Sequence, residues 1–177
     1  MLTDLQRRTL LDLARASITA NVSGQDPLEP GALELPDATG VFVTIRRRGA
    51  LRGCLGTLQN RLGLAREVVR CAVDSAKDDP RFPPVAAGEL SELELEISVL
   101  GPLEAIEPRA DTFTLGVHGL VVEAGVRRGL LLPQVAIEWG WTAEQFLRQT
   151  CVKAGLPPDA WQNGARIYRF PAEVFGE

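Results

Sequence analysis

A cysteine between two glycines is the residue of this chain best suited to covalent chemistry. Cys54 stands in LRGCLGT, residues 51–57, between Gly53 and Gly56. Glycines inside a strand usually mark a bulge, or a place where a ligand or another backbone comes close. Arg52 shares a strand face with Cys54, and its charge would lower the thiol pKa and favour a nucleophilic thiolate. The alternative is that Cys54 packs as a small buried hydrophobe, as free cysteines often do.

The second candidate is DPRFPP, residues 79–84, which carries one acid, one base and one aromatic ring. Its prolines fix the backbone, so its side chains lose little conformational freedom on binding a ligand. Asp79 and Arg81 are therefore candidate ligand-binding residues, together with Arg52. The alternative is a plain helix stop, in which Arg81 pairs with Asp78 or Asp79.

His118 is the only histidine and lies between Gly116 and Gly119. Its ordinary pKa is near neutrality, so it could act as the general base for Cys54 in a Cys–His pair. Glu123 and Glu138 are candidate third members, although no spacing selects them. The alternative is that His118 is a turn residue beside glycine.

Composition excludes several classes of protein. Among 177 residues, 45% are hydrophobic and 24% charged, which is typical of a globular domain. One histidine and three scattered cysteines exclude a self-contained zinc, iron–sulfur or disulfide framework, so we predict no metal site. A net charge of -4 argues against nucleic-acid binding, which normally needs a basic excess to neutralise phosphates. No signal-peptide pattern or apolar run of about 18 residues is visible, and we expect a cytoplasmic protein without a membrane span.

Hydrophobic periodicity indicates how these residues are positioned. It predicts helices at about 4–21 and 62–77, a short helical turn from Pro133, and a helix from Thr142 to Gly155. Thr3 with Gln6, and Thr142 with Gln145, have the spacing of capping boxes. The second helix has an apolar stripe, and the helical patterns around Cys71 and Cys151 predict that both cysteines pack in the core.

Strands are predicted at 41–45, 51–58, 93–99, 119–123, 126–132 and 165–170, with a Pro/Gly-rich connector at 23–36. The first two strands are predicted to turn at Arg48 and Gly49, and the strands at 119–123 and 126–132 to form a hairpin around Ala124 and Gly125. Residues 93–99 alternate strictly between apolar and polar, as in a half-buried strand. This order predicts an α+β fold with a mainly antiparallel sheet flanked by helices.

Several motifs in one order resemble the AMMECR family, whose bacterial and archaeal members are called AmmeMemoRadiSam system protein A. They are LRGCLGT (51–57), DPRFP (79–83), LEISVL (95–100) and GLLLPQVA (129–136), followed by EW (138–139), FL (146–147), CVKAGL (151–156) and DAW (159–161). The resemblance covers roughly residues 5–175, so we assign 1–177 to one AMMECR domain. It implies a larger and a smaller lobe, with a cleft at the Arg-Gly-Cys motif. It also implies company with Memo-like and radical-SAM proteins, to which any iron–sulfur cluster and SAM would belong, and it assigns this chain no cofactor.

These residues, taken with the resemblance, suggest two functions. In the first, the chain is an enzyme or an enzyme component of that three-protein system. Cys54 would be its nucleophile or covalent acceptor, Arg52 and Arg81 would hold an anionic group, and His118 would move a proton. In the second, the chain is a non-catalytic binding or scaffold module, in which the glycines and prolines shape a groove for a partner protein or small ligand.

Overall fold

The computed structural model describes residues 2–177, which fall into two compact units. Unit 1, the larger, contains the chain up to Leu100 together with Glu173–Glu177, and unit 2 contains Gly101–Ala172. Both units combine helices with antiparallel strands. The predicted α+β class with a mainly antiparallel sheet is therefore confirmed. The assignment of 1–177 to one domain, and the cleft implied by the resemblance, stay predictions.

Unit 1 contains two helices and three complete strands in a simple order. They are α1 (Asp4–Val22), β1 (Gly40–Arg47), β2 (Ala50–Thr57), α2 (Leu64–Lys77) and β3 (Leu93–Leu100). Strand β1 lies between β2 and β3 and pairs antiparallel with both. The hairpin from β1 to β2 turns at Arg48 and Gly49, which both have positive φ. The predicted turn is thereby confirmed.

The helix boundaries of unit 1 follow from local chemistry. The Thr3 hydroxyl accepts a hydrogen bond from the Gln6 N–H, and the Gln6 side chain accepts one from the Thr3 N–H. This reciprocal capping box starts α1 where the sequence predicts. Helix α2 starts two residues later than predicted because Gly63, with φ of 88° and ψ of 147°, is outside the helical region.

Strand alternation gives the sheet of unit 1 two different faces. One face packs against the helices, and five of its core residues are at most 2% exposed: Val41, Val43, Ile45, Leu95 and Ile97. The predicted apolar stripe of α2 is also buried. Because side chains alternate along a strand, Thr44 and Glu96 lie on the opposite face.

Unit 2 contains one short strand, a hairpin, two helices and most of a long final strand. They are β4 (Glu104–Ile106), β5 (His118–Ala124), β6 (Arg127–Leu131), α3 (Pro133–Glu138), α4 (Ala143–Lys153) and β7 (Arg166–Gly176), which ends in unit 1. Strand β7 pairs with β4 on one side and β5 on the other, and β5 pairs with β6. The predicted hairpin and both helices are confirmed.

Two details of the strand prediction are wrong. Strand β7 continues past residue 170 to Gly176, and Pro171 lies opposite His118 within it. Proline lacks an N–H and is rare inside strands, so the predicted strand ended at Phe170, just before Pro171. Strand β4 and the 3-10 helices Ala87–Glu92 and Ala160–Gln162 are too short to show a period, and the sequence did not indicate them.

Cys71 and Cys151 are fully buried, in agreement with their predicted packing role. Trp161 belongs to the core of unit 2, whereas Trp139 is largely exposed. Within residues 2–177, the structure has no helix long and apolar enough to cross a membrane.

Candidate functional site

Strand β2 carries the cysteine motif and stands first in the strand order, beside β1. Its register with β1 shifts between the pairs Ile45–Gly53 and Arg46–Leu51, which leaves Arg52 without a register partner on β1. Such an extra residue is a β-bulge, and it redirects the side chain that it carries. The glycine-rich sequence predicted a bulge or a close approach, and the structure contains both.

The close approach at the two glycines is to the chain's own backbone. A Cβ on Gly53 would lie 2.1 Å from the Ser75 carbonyl oxygen of α2. A Cβ on Gly56 would lie 2.3 Å from the Val41 carbonyl oxygen and 2.4 Å from the Phe42 ring. Packing therefore explains both glycines. Their predicted role in ligand binding stays a prediction.

Asp79 fastens the end of α2 to the cysteine strand. Asp79 is 3% exposed, and its carboxylate accepts hydrogen bonds from the backbone N–H of Cys54 (2.9 Å) and of Arg81 (3.1 Å). It also accepts two from the Arg81 guanidinium, at 2.9 and 2.7 Å. Because the Arg81 guanidinium and the two N–H groups stabilise the ionised form, the pKa of Asp79 lies far below its usual range.

Arg81 completes a clamp on the Cys54 backbone. Its Nη2 donates to the Cys54 carbonyl oxygen (3.2 Å), and its guanidinium lies 5.5 Å from the centre of the Phe82 ring. Asp79 and Arg81 thus bond to the backbone N–H and the carbonyl oxygen of Cys54, which would otherwise be unpaired on this edge strand. We call this arrangement the Asp79–Arg81 clamp. The ion pair between the two is the one that the helix-stop interpretation predicts.

The Arg52 guanidinium is directed to a different carboxylate. It donates to both oxygens of Glu89 at 2.9 Å, and its Nη1 donates to the Pro83 carbonyl oxygen. The Arg52 guanidinium, and then the Ala86 N–H, lower the pKa of Glu89 to about 2. The cation whose charge acts on the Cys54 thiol is Arg81 rather than Arg52, and it only partly opposes a pKa that burial raises. The prediction from alternation did not allow for the bulge at Arg52.

The Cys54 thiol itself is half-buried and lies 3.3 Å from the Thr44 hydroxyl oxygen. Burial raises the pKa of the thiol above its ordinary value. The Thr44 hydrogen bond and the charge of Arg81 act in the opposite direction, and Asp79 and Glu96 add to the rise. The thiol is therefore protonated at neutral pH, and the predicted lowering of its pKa is wrong.

Two neighbours of Cys54 were not identified from the sequence. Thr44 is the register partner of Cys54 on one side and of Glu96 on the other. Directly opposed residues share a face, so thiol, hydroxyl and carboxylate form a row across three strands. Alternation along a single strand shows which of its residues share a face. Only the register between the strands, which the sequence does not give, places Thr44 and Glu96 beside Cys54.

His118 is the first residue of β5, and its Nδ1 accepts a hydrogen bond from the Thr114 N–H at 3.0 Å. That bond closes the turn before the strand, as the turn-residue interpretation predicts. Cys54 belongs to unit 1 and His118 to unit 2, and their pairing stays a prediction. Glu123 forms ion pairs with Arg128 and Arg166, and Glu138 ends α3. Their roles as third members also stay predictions.

Replacing Thr44 by valine tests the hydrogen bond to the thiol. Thr44→Val keeps the side-chain volume and removes the interaction that lowers the Cys54 pKa. We therefore expect a higher thiol pKa and slower alkylation of Cys54 at pH 8, measured by mass spectrometry of the labelled peptide. Thr19→Val, which changes an exposed hydroxyl on α1, is the control and should leave the rate unchanged. Equal rates in all three proteins would show that the Thr44 hydroxyl does not act on the thiol.

Within the described residues 2–177, no group of three or more His, Cys, Asp or Glu side chains could hold a metal ion. The polar groups around Cys54 are instead engaged with one another. Asp79 and Glu89 are each paired with arginine, and Thr44 is bonded to the thiol.

Known proteins are similar to this chain in sequence and in fold. A protein of Methanothermobacter thermautotrophicus is 45% identical over 180 residues, covering 96% of this chain and 93% of that protein. Protein TK0174 of Thermococcus kodakarensis is 45% identical over 181 residues, covering 95% and 88%. The crystal structure of the uncharacterized protein PH0010 of Pyrococcus horikoshii has a TM-score of 0.88 at 44% identity, covering 96% of this chain and 90% of that one.

The family comparison agrees with these relatives and with the motifs in the sequence. The family model described as AMMECR1 matches residues 11–175. That span contains the bulged strand, the Asp79–Arg81 clamp, all of unit 2 and most of unit 1. The chain therefore belongs to the AMMECR1 family.

Proposed function

We propose that this protein is a cytoplasmic binding component of an enzyme system that includes Memo-like and radical-SAM partners. Its Arg-Gly-Cys segment shapes a binding surface and does not supply a nucleophile. The observation that carries the proposal is the geometry at Cys54: its half-buried thiol is bonded to Thr44, and its backbone is held by the Asp79–Arg81 clamp. Burial raises the pKa of the thiol, which works against a nucleophilic thiolate. Supporting the choice of partners is the resemblance to the family of the AmmeMemoRadiSam system.

The clamp suits recognition because it holds a cation in a fixed place. Two nitrogens of the Arg81 guanidinium are bound by Asp79, yet 54% of the Arg81 side chain is exposed. A side chain that is already ordered loses little entropy when a ligand binds. Arg81 can therefore contact an anionic or carbonyl group, while the thiol of Cys54 offers a weak hydrogen-bond donor beside it.

The proposal is tested by alkylation of the three cysteines with iodoacetamide between pH 6 and 10, followed by mass spectrometry of each peptide. We expect Cys54 to react with an apparent pKa above the ordinary ~8.5. Cys71 and Cys151 are internal controls, since both are fully buried and burial raises the pKa of Cys71 to about 12. They should react only after unfolding.

Two variants separate binding from catalysis by Cys54. We expect Cys54→Ser to keep the fold and the capture of co-expressed Memo-like and radical-SAM proteins, and Arg81→Ala to lose that capture. Selective labelling of Cys54 at pH 6–7 would contradict the proposal. It would favour instead the catalytic hypothesis, with Cys54 as nucleophile, Arg52 and Arg81 as anion holders and His118 as proton carrier. Thermal melts of each variant separate lost binding from lost folding.

A further inference from the structure

The Arg81 guanidinium has hydrogen-bond donors that the Asp79–Arg81 clamp does not use. Its Nε and Nη2 donate to Asp79 and to the Cys54 carbonyl oxygen. Its Nη1 donates no hydrogen bond to any residue in 2–177, and 54% of the side chain is exposed. Because guanidinium N–H groups only donate, Nη1 offers charge-assisted hydrogen bonds to an acceptor oxygen. The carboxylate of a ligand fits this end of the binding surface.

The Glu96 carboxylate lies at the opposite end, beyond the Cys54 thiol and the Thr44 hydroxyl. It accepts no hydrogen bond and joins no ion pair among the residues that the structure describes, and Glu96 is only partly exposed. Its charge and that of Arg81 both act on the pKa of the Cys54 thiol, in opposite directions. A half-buried carboxylate has lost part of its hydration, so a cation beside it is favoured. An ammonium group of a ligand therefore fits this end.

Ser98 adds a second acceptor at the Glu96 end. It lies two residues beyond Glu96 on β3 and therefore on the same face of the sheet. It is fully buried, yet its hydroxyl has no hydrogen-bond partner in the described part of the chain. Buried hydroxyl groups are nearly always bonded, because an unpaired one costs free energy. The Ser98 hydroxyl thus requires a polar group that the chain does not supply, and an ammonium group has three N–H donors.

The strand register sets the distance between the two ends. Thr44 pairs with Cys54 on one side and with Glu96 on the other, so Cys54 and Glu96 are two strand spacings apart, about 10 Å. Arg81 is bonded to the backbone of Cys54 at the near end. A ligand that contacts both ends must span roughly this distance. An extended peptide covers about 10 Å in three residues.

We propose that the ligand of the surface at Cys54 is a short zwitterionic peptide, whose carboxylate is bound by Arg81 and whose ammonium group is bound by Glu96 and Ser98. This inference rests on the function proposed above and names the chemical class of the ligand. A ligand with a single charge would leave one end of the surface unused. All the residues concerned belong to unit 1.

The test is a titration of the full chain with glycine, diglycine, triglycine and tetraglycine, followed by two-dimensional NMR of the backbone amides. Each probe has one ammonium group and one carboxylate, and only their separation differs. Triglycine should bind at least ~10-fold more tightly than glycine or diglycine, because the shorter probes reach one end at a time. The amides that shift should be those of residues 50–57 and 94–98.

A double-mutant cycle with N-acetylated triglycine, which lacks the ammonium group, isolates Glu96. Acetylation should weaken binding to the wild type at least ~10-fold and should not weaken binding to Glu96→Gln. Ser98→Ala should bind triglycine more weakly without a loss of thermal stability, because it removes an unpaired hydroxyl. The control is Glu94→Gln, which removes an exposed carboxylate from the same strand and should keep the full effect of acetylation.

Absence of binding, or equal affinity for the four probes, would overturn the proposed ligand. An equal effect of acetylation on the wild type and on Glu96→Gln would do so too. If Glu96→Gln fails to fold, Ser98→Ala and the acetylated probe on the wild type decide the question. These outcomes leave the function proposed above standing, since that function fails instead on selective labelling of Cys54 near neutral pH.

Discussion

Asp79→Asn should lower the free energy of unfolding by about 3 kcal/mol, one of the two largest effects that we expect in this protein. The carboxylate of Asp79 is almost fully buried and accepts four hydrogen bonds from Cys54 and Arg81. An amide has the same shape but only one acceptor oxygen, and its NH₂ group would face donors. Urea unfolding followed by circular dichroism measures the loss.

The loss should also appear locally and depend on pH. Amide hydrogen exchange of the peptide 50–57 should become faster, because the Cys54 N–H loses its acceptor. The pKa of Asp79 is lowered in the folded state, so its contribution is complete above its unfolded pKa of ~3.9. It is lost as the pH falls through the folded value. The difference in stability between wild type and Asp79→Asn should therefore be full at pH 7 and shrink below about pH 4.

The control for this prediction is Asp111→Asn. Asp111 also pairs with an arginine two residues away, Arg109, but both side chains are largely exposed. Exposed pairs contribute little, so the control should change the stability by less than about 0.5 kcal/mol. If Asp79→Asn were as mild as Asp111→Asn, the clamp would not hold strand β2.

Much of the fold could be predicted from the sequence because its signals are local. Thr3 with Gln6, and Thr142 with Gln145, are caps whose two members lie three residues apart, and both helices begin there. The strict alternation of residues 93–99 likewise predicted β3. Where the signal was short or ambiguous, as at β4 or after Pro171, the prediction was incomplete.

The candidate site was predicted less well because its contacts are long-range. The sequence identified Cys54, Asp79 and Arg81 as residues of interest, and the structure brings these three together. The sequence could not show that the Arg52 side chain binds Glu89, 37 residues away, because the bulge at Arg52 depends on the pairing of β1 with β2. Nor could it give the thiol pKa, which burial dominates.

These contacts change the meaning of the two sequence motifs. LRGCLGT and DPRFPP are separate candidates in the sequence, yet in the fold they are hydrogen-bonded to each other. Asp79 and Arg81 hold the Cys54 backbone, and the Pro83 and Pro84 carbonyl groups accept hydrogen bonds from Arg52. The bulged strand and the proline-rich segment are therefore held rigidly against each other. Any ligand that reaches the thiol of Cys54 meets a surface whose shape is already fixed.

Gly53→Ala should be at least as damaging as the loss of Asp79, with a cost of about 3 kcal/mol or more in the free energy of unfolding. The added methyl group would lie 2.1 Å from the Ser75 carbonyl oxygen, and 3.1 Å from its carbonyl carbon. Both atoms belong to the backbone of α2, so no side-chain rotation can relieve the clash. Strand β2 and helix α2 must separate, which weakens the hydrogen bonds of Ser75 to Leu55 and Val43.

Gly88→Ala is the matched control, since a Cβ there meets nothing within 4 Å and its φ is not positive. It should leave the stability within about 0.5 kcal/mol of wild type. In Gly53→Ala we also expect faster alkylation of Cys54, because separation of β2 from α2 exposes the thiol and reduces the desolvation that raises its pKa. A stable Gly53→Ala protein with unchanged alkylation would mean that α2 can move without disturbing the clamp. Packing against Ser75 would then not be the reason for glycine at position 53.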